Sequence, residues 1–189
     1  MLKIAIIIGS TRPGRNCEAV SKWAYGIAQQ RTDADFELVD IATFALPLLD
    51  EPMPASFGQY RHAHTRAWSA KIATFDGYVF VTPEYNHGTS AALKNAIDFL
   101  HQEWTNKAAG FIGYGGSLGA RAIEHLRLVM ASLDVATVTP QVGLSMFTDF
   151  ESFSVFKPAE AQAQHVNRML DRVIAWSGAL SVLRGKRNG

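Results

Sequence analysis

A glycine-rich turn near the start of the chain carries side chains suited to binding an anion. It runs over residues 9–16 as Gly-Ser-Thr-Arg-Pro-Gly-Arg-Asn. Gly9 and Gly14 are spaced as in a P-loop, but Arg15 and Asn16 stand where lysine and serine or threonine would follow. Without that hydroxyl the usual Mg²⁺ ligand is missing, so the turn is a poor candidate for triphosphate hydrolysis.

The same turn is well suited to a phosphate dianion held without a metal. Ser10 and Thr11 offer hydroxyls, Arg12 and Arg15 offer guanidinium groups, and the helix predicted next offers its N-terminal amides. The alternative is an ordinary strand-to-helix turn, with Asn16 as the helix cap and two solvated arginines.

A second turn, Pro-Glu-Tyr-Asn-His-Gly over residues 83–88, follows a buried strand. Tyr85 could stack on a flat ring, and Asn86 and the backbone could bond to its heteroatoms. The alternative is a plain loop with an Asx turn and a helix cap at Thr89 or Ser90.

A third turn, over residues 113–119, is rich in glycine. It fails the dinucleotide fingerprint, because Leu118 stands where glycine or alanine is needed. The small residues Gly115, Gly116 and Ser117 would instead let a planar ligand lie against the main chain. The turn offers no aromatic residue after Tyr114, so we expect one face of such a ligand to stay open.

Alternating strands and helices must position these turns. Apolar runs predict strands at 3–8, 36–41, 77–82, 108–114 and 136–142. Helical spacing predicts helices at 17–30, 59–74, 90–100, 120–133 and 158–183, with loops at 46–54 and 143–157. This alternation indicates an α/β fold with a parallel sheet between helices. The three turns follow strands 1, 3 and 4, so they meet at the carboxyl edge, where such sheets bind ligands.

Composition narrows the class of protein. The 189 residues predict a single domain, 1–189, and a net charge of +1 argues against a nucleic-acid partner. No apolar run is long enough for a membrane helix. The one cysteine, Cys17, excludes an internal disulfide and suits a reducing compartment, so we expect a cytoplasmic protein with a structural thiol.

His62 and His64 would lie on different helix faces with no third ligand near, so we predict no metal site.

Four motifs together resemble the NADPH-dependent FMN reductase family, which includes flavodoxin-like quinone, azo-dye and chromate reductases. They are the Gly9–Arg15 turn, Leu46–Pro52 (LPLLDEP), Thr82–Gly88 with Leu93–Asp98 (LKNAID), and Gly115–Gly119. The likeness spans roughly residues 1–145, and residues 82–98 are its most specific part. It implies a flavodoxin-like, five-stranded parallel sheet in the order 2-1-3-4-5.

The resemblance also implies a cofactor, a reaction and a set of binding residues. The cofactor is FMN, reduced by NADPH or NADH, and a small-molecule acceptor (a quinone, azo compound, metal oxyanion or flavin) then takes the electrons in a ping-pong cycle. No catalytic side chain is needed, since the flavin carries the chemistry. The residues implied around the phosphate are Ser10, Arg12, Arg15 and Asn16. Those implied around the flavin ring are Pro83, Glu84, Tyr85, Asn86, Gly115, Gly116 and Ser117.

The resemblance further implies a homodimer with the pocket at its interface, and a homotetramer is equally open. Apolar residues beyond the core stripes of helices 90–100 and 120–133, namely Phe99, Trp104 and Leu128, support an oligomer. Two other functions stay open. One is an FMN electron carrier that does not oxidise NAD(P)H, although such carriers are typically acidic. The other is a nucleotide-binding or interaction module without flavin.

Overall fold

The β-branched runs form the middle of a parallel sheet, where strands are buried on both faces. The computed structural model describes residues 1–185. Its strands are β1 (Lys3–Ile8), β2 (Asp35–Asp40), β3 (Gly77–Pro83), β4 (Ala108–Gly115), β5 (Ala136–Thr137), β6 (Val142–Ser145), β7 (Phe150–Glu151) and β8 (Val155–Phe156). Its helices are α1 (Asn16–Ala28), α2 (Ala63–Ala73), α3 (Ala91–Asp98), α4 (Ala120–Ser132) and α5 (Gln162–Gly185).

The main sheet has the predicted order, β2-β1-β3-β4-β5, and its pairings are parallel. Helices α1 and α5 cover one face, where Val20 and Met169 are fully buried. Helices α2, α3 and α4 cover the other face with residues such as Trp68, Leu93 and Ile123. The predicted flavodoxin-like α/β architecture is therefore confirmed.

The fifth strand is interrupted where the sequence predicted one strand over 136–142. Both β5 and β6 pair with β4, and the chain bulges between them at Pro140, which has no amide hydrogen for a ladder. Arg127 of α4 stabilises the bulge from one side. Its guanidinium donates to the Val138 carbonyl over 2.8 Å and to Oε1 of Gln141 over 3.1 Å.

The loop predicted over 143–157 is wrong, because this segment contains β6 and the antiparallel β7–β8 hairpin. Phenylalanines hold the hairpin on the body of the protein. The rings of Phe150 and Tyr114 lie 5.9 Å apart, and those of Phe156 and Trp23 lie 5.4 Å apart. Aromatic packing of this kind stabilises a hairpin too short to be stable alone.

Two helices begin later than predicted. Helix α2 begins at Ala63 instead of 59, since the Glu51 carboxylate accepts the Arg61 and His62 amides and keeps that segment out of the helix. Helix α5 begins at Gln162 instead of 158.

Two of the three residues expected to support an oligomer do not lie on the surface. Phe99 and Trp104 are fully buried in the core, whereas Leu128 is 68% exposed. Among residues 1–185, none of the helices combines the length and apolarity needed to cross a membrane.

Candidate functional site

The three predicted turns meet in one cleft of about 520 Å³ at the carboxyl ends of β1, β3 and β4. Volumes of this size are typical of sites for small ligands. The expected residues that line the cleft are Arg12, Arg15, Asn16, Pro83, Glu84, Tyr85, Gly115 and Gly116. Ser10, Asn86 and Ser117 lie in the same turns but outside the lining.

The first turn is fixed by the buried Ser10. Its Oγ lies 3.3 Å from the Tyr85 hydroxyl, which ties the first turn to the second, and its carbonyl accepts from Arg15 over 2.5 Å. Arg15 also forms an ion pair with Asp40 and is only 12% exposed, so it is not a solvated arginine. Arg12, by contrast, is exposed at the cleft.

The N-terminus of α1 is suited to an anion. Arg15, not Asn16, occupies the cap position, and its side chain makes no capping hydrogen bond to the amides of the first turn. Asn16 instead donates from Nδ2 to the Phe153 carbonyl over 3.0 Å. Free amides at a helix start bind phosphate groups well, because the helix dipole adds to their hydrogen bonds.

Glu84 joins the second turn to the third. Its carboxylate accepts from the Arg121 side chain over 2.6 Å and from the Arg121 amide over 3.1 Å. Burial disfavours the charged form of Glu84, but these bonds outweigh it and lower its pKa. The carboxylate also caps the start of α4, where Gly119 has the positive φ of 67° that suits glycine. Ser117 is held in turn, because its Oγ accepts from Arg121 over 3.0 Å.

Residues 85–88 form a tight reverse turn. The amide of each end residue, Tyr85 and Gly88, donates to the carbonyl of the other. Asn86 and His87 between them both have positive φ, at 49° and 74°, as in a type I′ turn. Asn86 is therefore exposed at the apex, while Tyr85 faces the cleft. The predicted cap after this turn is Ser90, whose Oγ accepts the Leu93 amide and donates to the Gly9 carbonyl.

Sequence reasoning missed part of the lining. The additional lining residues are Gly14, Tyr114, Met146, Phe153 and Ser154. Three of them lie in the segment predicted as loop. A signal was present there, since phenylalanine recurs at every third position, 147, 150, 153 and 156, in a segment otherwise expected to be polar. Phe153 thus adds an aromatic side chain to the lining from outside the third turn, and the open face of the ligand stays a prediction.

Cys17 lies under the first turn, and its buried thiol donates to the Val81 carbonyl over 3.3 Å. Burial raises the pKa of this thiol to about 11. We therefore expect the folded protein to react with an aromatic disulfide reagent at pH 8 much more slowly than the unfolded protein, because the thiolate is the nucleophile. Thiol titration with and without denaturant measures the two reaction rates. Equal rates in the two states would contradict the structural role.

His62 and His64 do not lie on different helix faces, because His62 caps α2 and only His64 is helical. Their rings stack with centroids 5.2 Å apart, and Nε2 of His64 lies 3.0 Å from the Asp50 carboxylate. Residues 1–185 contain no group of three or more potential ligands arranged to hold a metal ion.

Known proteins match this chain over most of its length. The family model for NADPH-dependent FMN reductase matches residues 2–149. An NAD(P)H-dependent FMN reductase of Schizosaccharomyces pombe is 36% identical over 169 residues, covering 88% of this chain and 84% of the relative. A 2-hydroxy-1,4-benzoquinone reductase of a Burkholderia species is 30% identical, covering 93% and 96%. The structure of FerB, a flavoenzyme NAD(P)H:(acceptor) oxidoreductase from Paracoccus denitrificans, superposes with a TM-score of 0.73 at 19% identity, covering 95% and 98%.

Proposed function

Since the chain belongs to the NADPH-dependent FMN reductase family, we propose that it passes electrons from NAD(P)H through FMN to a small-molecule acceptor by a ping-pong mechanism. The enzyme class and the cofactors follow from membership: it is an NAD(P)H-dependent FMN reductase that uses FMN with NADPH or NADH. The acceptor classes we propose are quinones, azo compounds, metal oxyanions and free flavin. The meeting of three predicted turns in one cleft is the observation that carries the proposal.

One end of the cleft fits a phosphate. We assign the phosphate to the uncapped start of α1, with the exposed guanidinium of Arg12 beside it. Arg15 shapes this end by holding the Ser10 carbonyl while paired with Asp40. No metal is required, because amides and a guanidinium can neutralise a dianion directly.

The other end fits a flat ring. Pro83, Glu84 and Tyr85 border it on one side, and Gly115 and Gly116 border it on the other. The Tyr85 ring is held by its contact with Ser10, and Gly116 presents only main-chain atoms to the slot. The cleft therefore offers a phosphate site at one end and a flat slot at the other, and this combination fits FMN.

FMN bound in this cleft would supply the redox chemistry that links two-electron oxidation of the nicotinamide to reduction of the acceptor. The protein supplies binding, orientation and electrostatics. Main-chain amides of the third turn would stabilise negative charge in the slot, because they are fixed before the reaction. Glu84 keeps the second and third turns together, because each oxygen of its carboxylate accepts a hydrogen bond from Arg121.

We expect the purified protein to carry noncovalent FMN whose visible absorption is bleached by NADPH or NADH within seconds under anaerobic conditions. Steady-state lines with a quinone acceptor should be parallel, as a ping-pong mechanism requires. Mass analysis of the acid-released cofactor identifies it. Finding FAD, or a flavin that neither nicotinamide nucleotide bleaches, would contradict the proposal and revive the electron-carrier alternative.

The proposal includes a cytoplasmic, single-domain chain that assembles into a homodimer or homotetramer. Leu118 on the third turn and Leu128 on α4 are 45% and 68% exposed, and these apolar side chains support an assembly. Light scattering at micromolar concentration should therefore give a mass well above the 20.7 kDa of one chain. A monomer mass would contradict the assembly, and two separate unfolding transitions would contradict the single domain.

A further inference from the structure

Two phenylalanines at the mouth of the cleft are more exposed than folding explains. Phe147 and Phe153 are 70% and 60% exposed, and their rings meet edge to face with centroids 5.8 Å apart. Phe150 and Phe156 of the same segment do the packing against the body of the protein. Exposed aromatic pairs beside a cleft are typical of binding surfaces, because they leave apolar area available for a ligand.

The backbone that carries the pair is held in place at its base and at its tip. At the base, the buried Asp149 carboxylate accepts the Ser145 amide over 2.8 Å and the Ala159 amide over 3.2 Å. At the tip, Ser152 and Phe153 have left-handed φ values of 49° and 57°. Strained residues of this kind cluster at functional sites, where the surrounding structure holds them. The bond from Asn16 to the Phe153 carbonyl provides part of that restraint.

The pair faces the end of the cleft that fits a flat ring. Phe153 lines the cleft, and the Phe147 ring lies 3.9 Å from the point where a Cβ on Gly116 would be. The Phe147 ring therefore lies beside the third turn, and the Phe153 ring next to it borders the cleft.

We propose that Phe147 and Phe153 form an aromatic wall that binds the ring of the acceptor and determines specificity for planar acceptors over compact inorganic ones. This inference rests on the proposed function. A quinone takes up two electrons and two protons to become a hydroquinone, and its ring must lie in the slot while it does so. Two ferricyanide ions instead take one electron each and become ferrocyanide, with no ring for the wall to contact.

The test compares Phe147→Ala, Phe153→Ala and the double variant with two controls. Phe57→Ala removes an equally exposed ring outside the cleft, and Val155→Ala removes an exposed side chain from the same hairpin. With the FMN-loaded enzyme, kcat/KM for 1,4-benzoquinone should fall about 5-fold in each single variant and about 20-fold in the double variant, the scale of one and two aromatic contacts. The value for ferricyanide should stay within about 2-fold of the wild type in every variant.

A binding measurement gives a second readout that does not depend on turnover. Equilibrium dialysis of 2-naphthol, a ring that the enzyme cannot reduce by hydride transfer, should show weaker binding by similar factors in the wall variants and unchanged binding in both controls. An equal fall in kcat/KM for benzoquinone and ferricyanide, or unchanged 2-naphthol binding in the double variant, would contradict the proposed aromatic wall. Failure of NAD(P)H to reduce the wild-type flavin would overturn the proposed function, while the dialysis would still decide whether the wall binds rings.

Discussion

Replacement of Arg12 by alanine is expected to weaken FMN binding by about 10- to 100-fold, the value of one charge-assisted hydrogen bond to a phosphate. Arg12 is exposed at the cleft beside the uncapped start of α1, so its guanidinium is free to reach the phosphate. Riboflavin, which has no phosphate, should bind Arg12→Ala as well as it binds the wild type. Titrating the apoprotein with each flavin and recording the quenching of flavin fluorescence gives the dissociation constants of FMN and of riboflavin.

Arg15→Ala is the matched comparison in the same turn. Its guanidinium is engaged by Asp40 and by the Ser10 carbonyl, so its loss should loosen the turn and weaken FMN and riboflavin alike. Equal losses for the two flavins in Arg12→Ala would show that Arg12 does not contact the phosphate.

Glu84→Gln is expected to lower the free energy of unfolding by about 2 kcal/mol at pH 7, because it weakens a charge-assisted cap of α4 and the bond to Arg121 at once. The Glu84 side chain is 5% exposed, but Arg121 is 43% exposed, and solvent therefore screens part of the interaction. Urea unfolding of both proteins across a range of pH measures the difference.

The pH dependence has a definite sign. The pKa of Glu84 is lowered in the folded protein, so its stabilising effect is complete above the ordinary glutamate pKa and disappears as the pH falls through the lowered value. The gap between wild type and Glu84→Gln should therefore shrink below about pH 4.5. Glu124→Gln, an exposed change on the same helix, is the control. A gap that persists unchanged at acid pH would contradict this account.

Much of the fold could be predicted because its signals are local. The buried run 4–8, the apolar spacing of 93, 96, 97 and 100, and the glycine turns each specify their own structure. Alternation then indicates a parallel sheet, whose carboxyl edge is where the turns meet, but the order of its strands came from the family resemblance. Eight of the eleven expected site residues line the cleft for this reason.

The failures came from contacts between residues distant in sequence. The sequence around Arg15 does not show that Asp40 will form an ion pair with it. The sequence around Glu84 likewise does not show that Arg121 will be its partner. The hairpin at 150–156 was missed because two-residue strands carry no periodicity, and its packing on the distant Tyr114 and Trp23 helps to stabilise it. Phe153 could not be placed in the cleft until that hairpin was known.

The interruption of the fifth strand also affects how copies of the protein behave when they meet. A long edge strand exposes a row of free amides and carbonyls on which another chain can pair and aggregate. Here the edge is divided into segments of two and four residues, and Arg127 occupies the carbonyls of Val138 and Thr139 between them. The opposite edge, β2, carries Asp35 and Glu37, which disfavour pairing by charge. One edge is therefore interrupted and the other is charged, so the sheet resists edge-to-edge aggregation at high protein concentration.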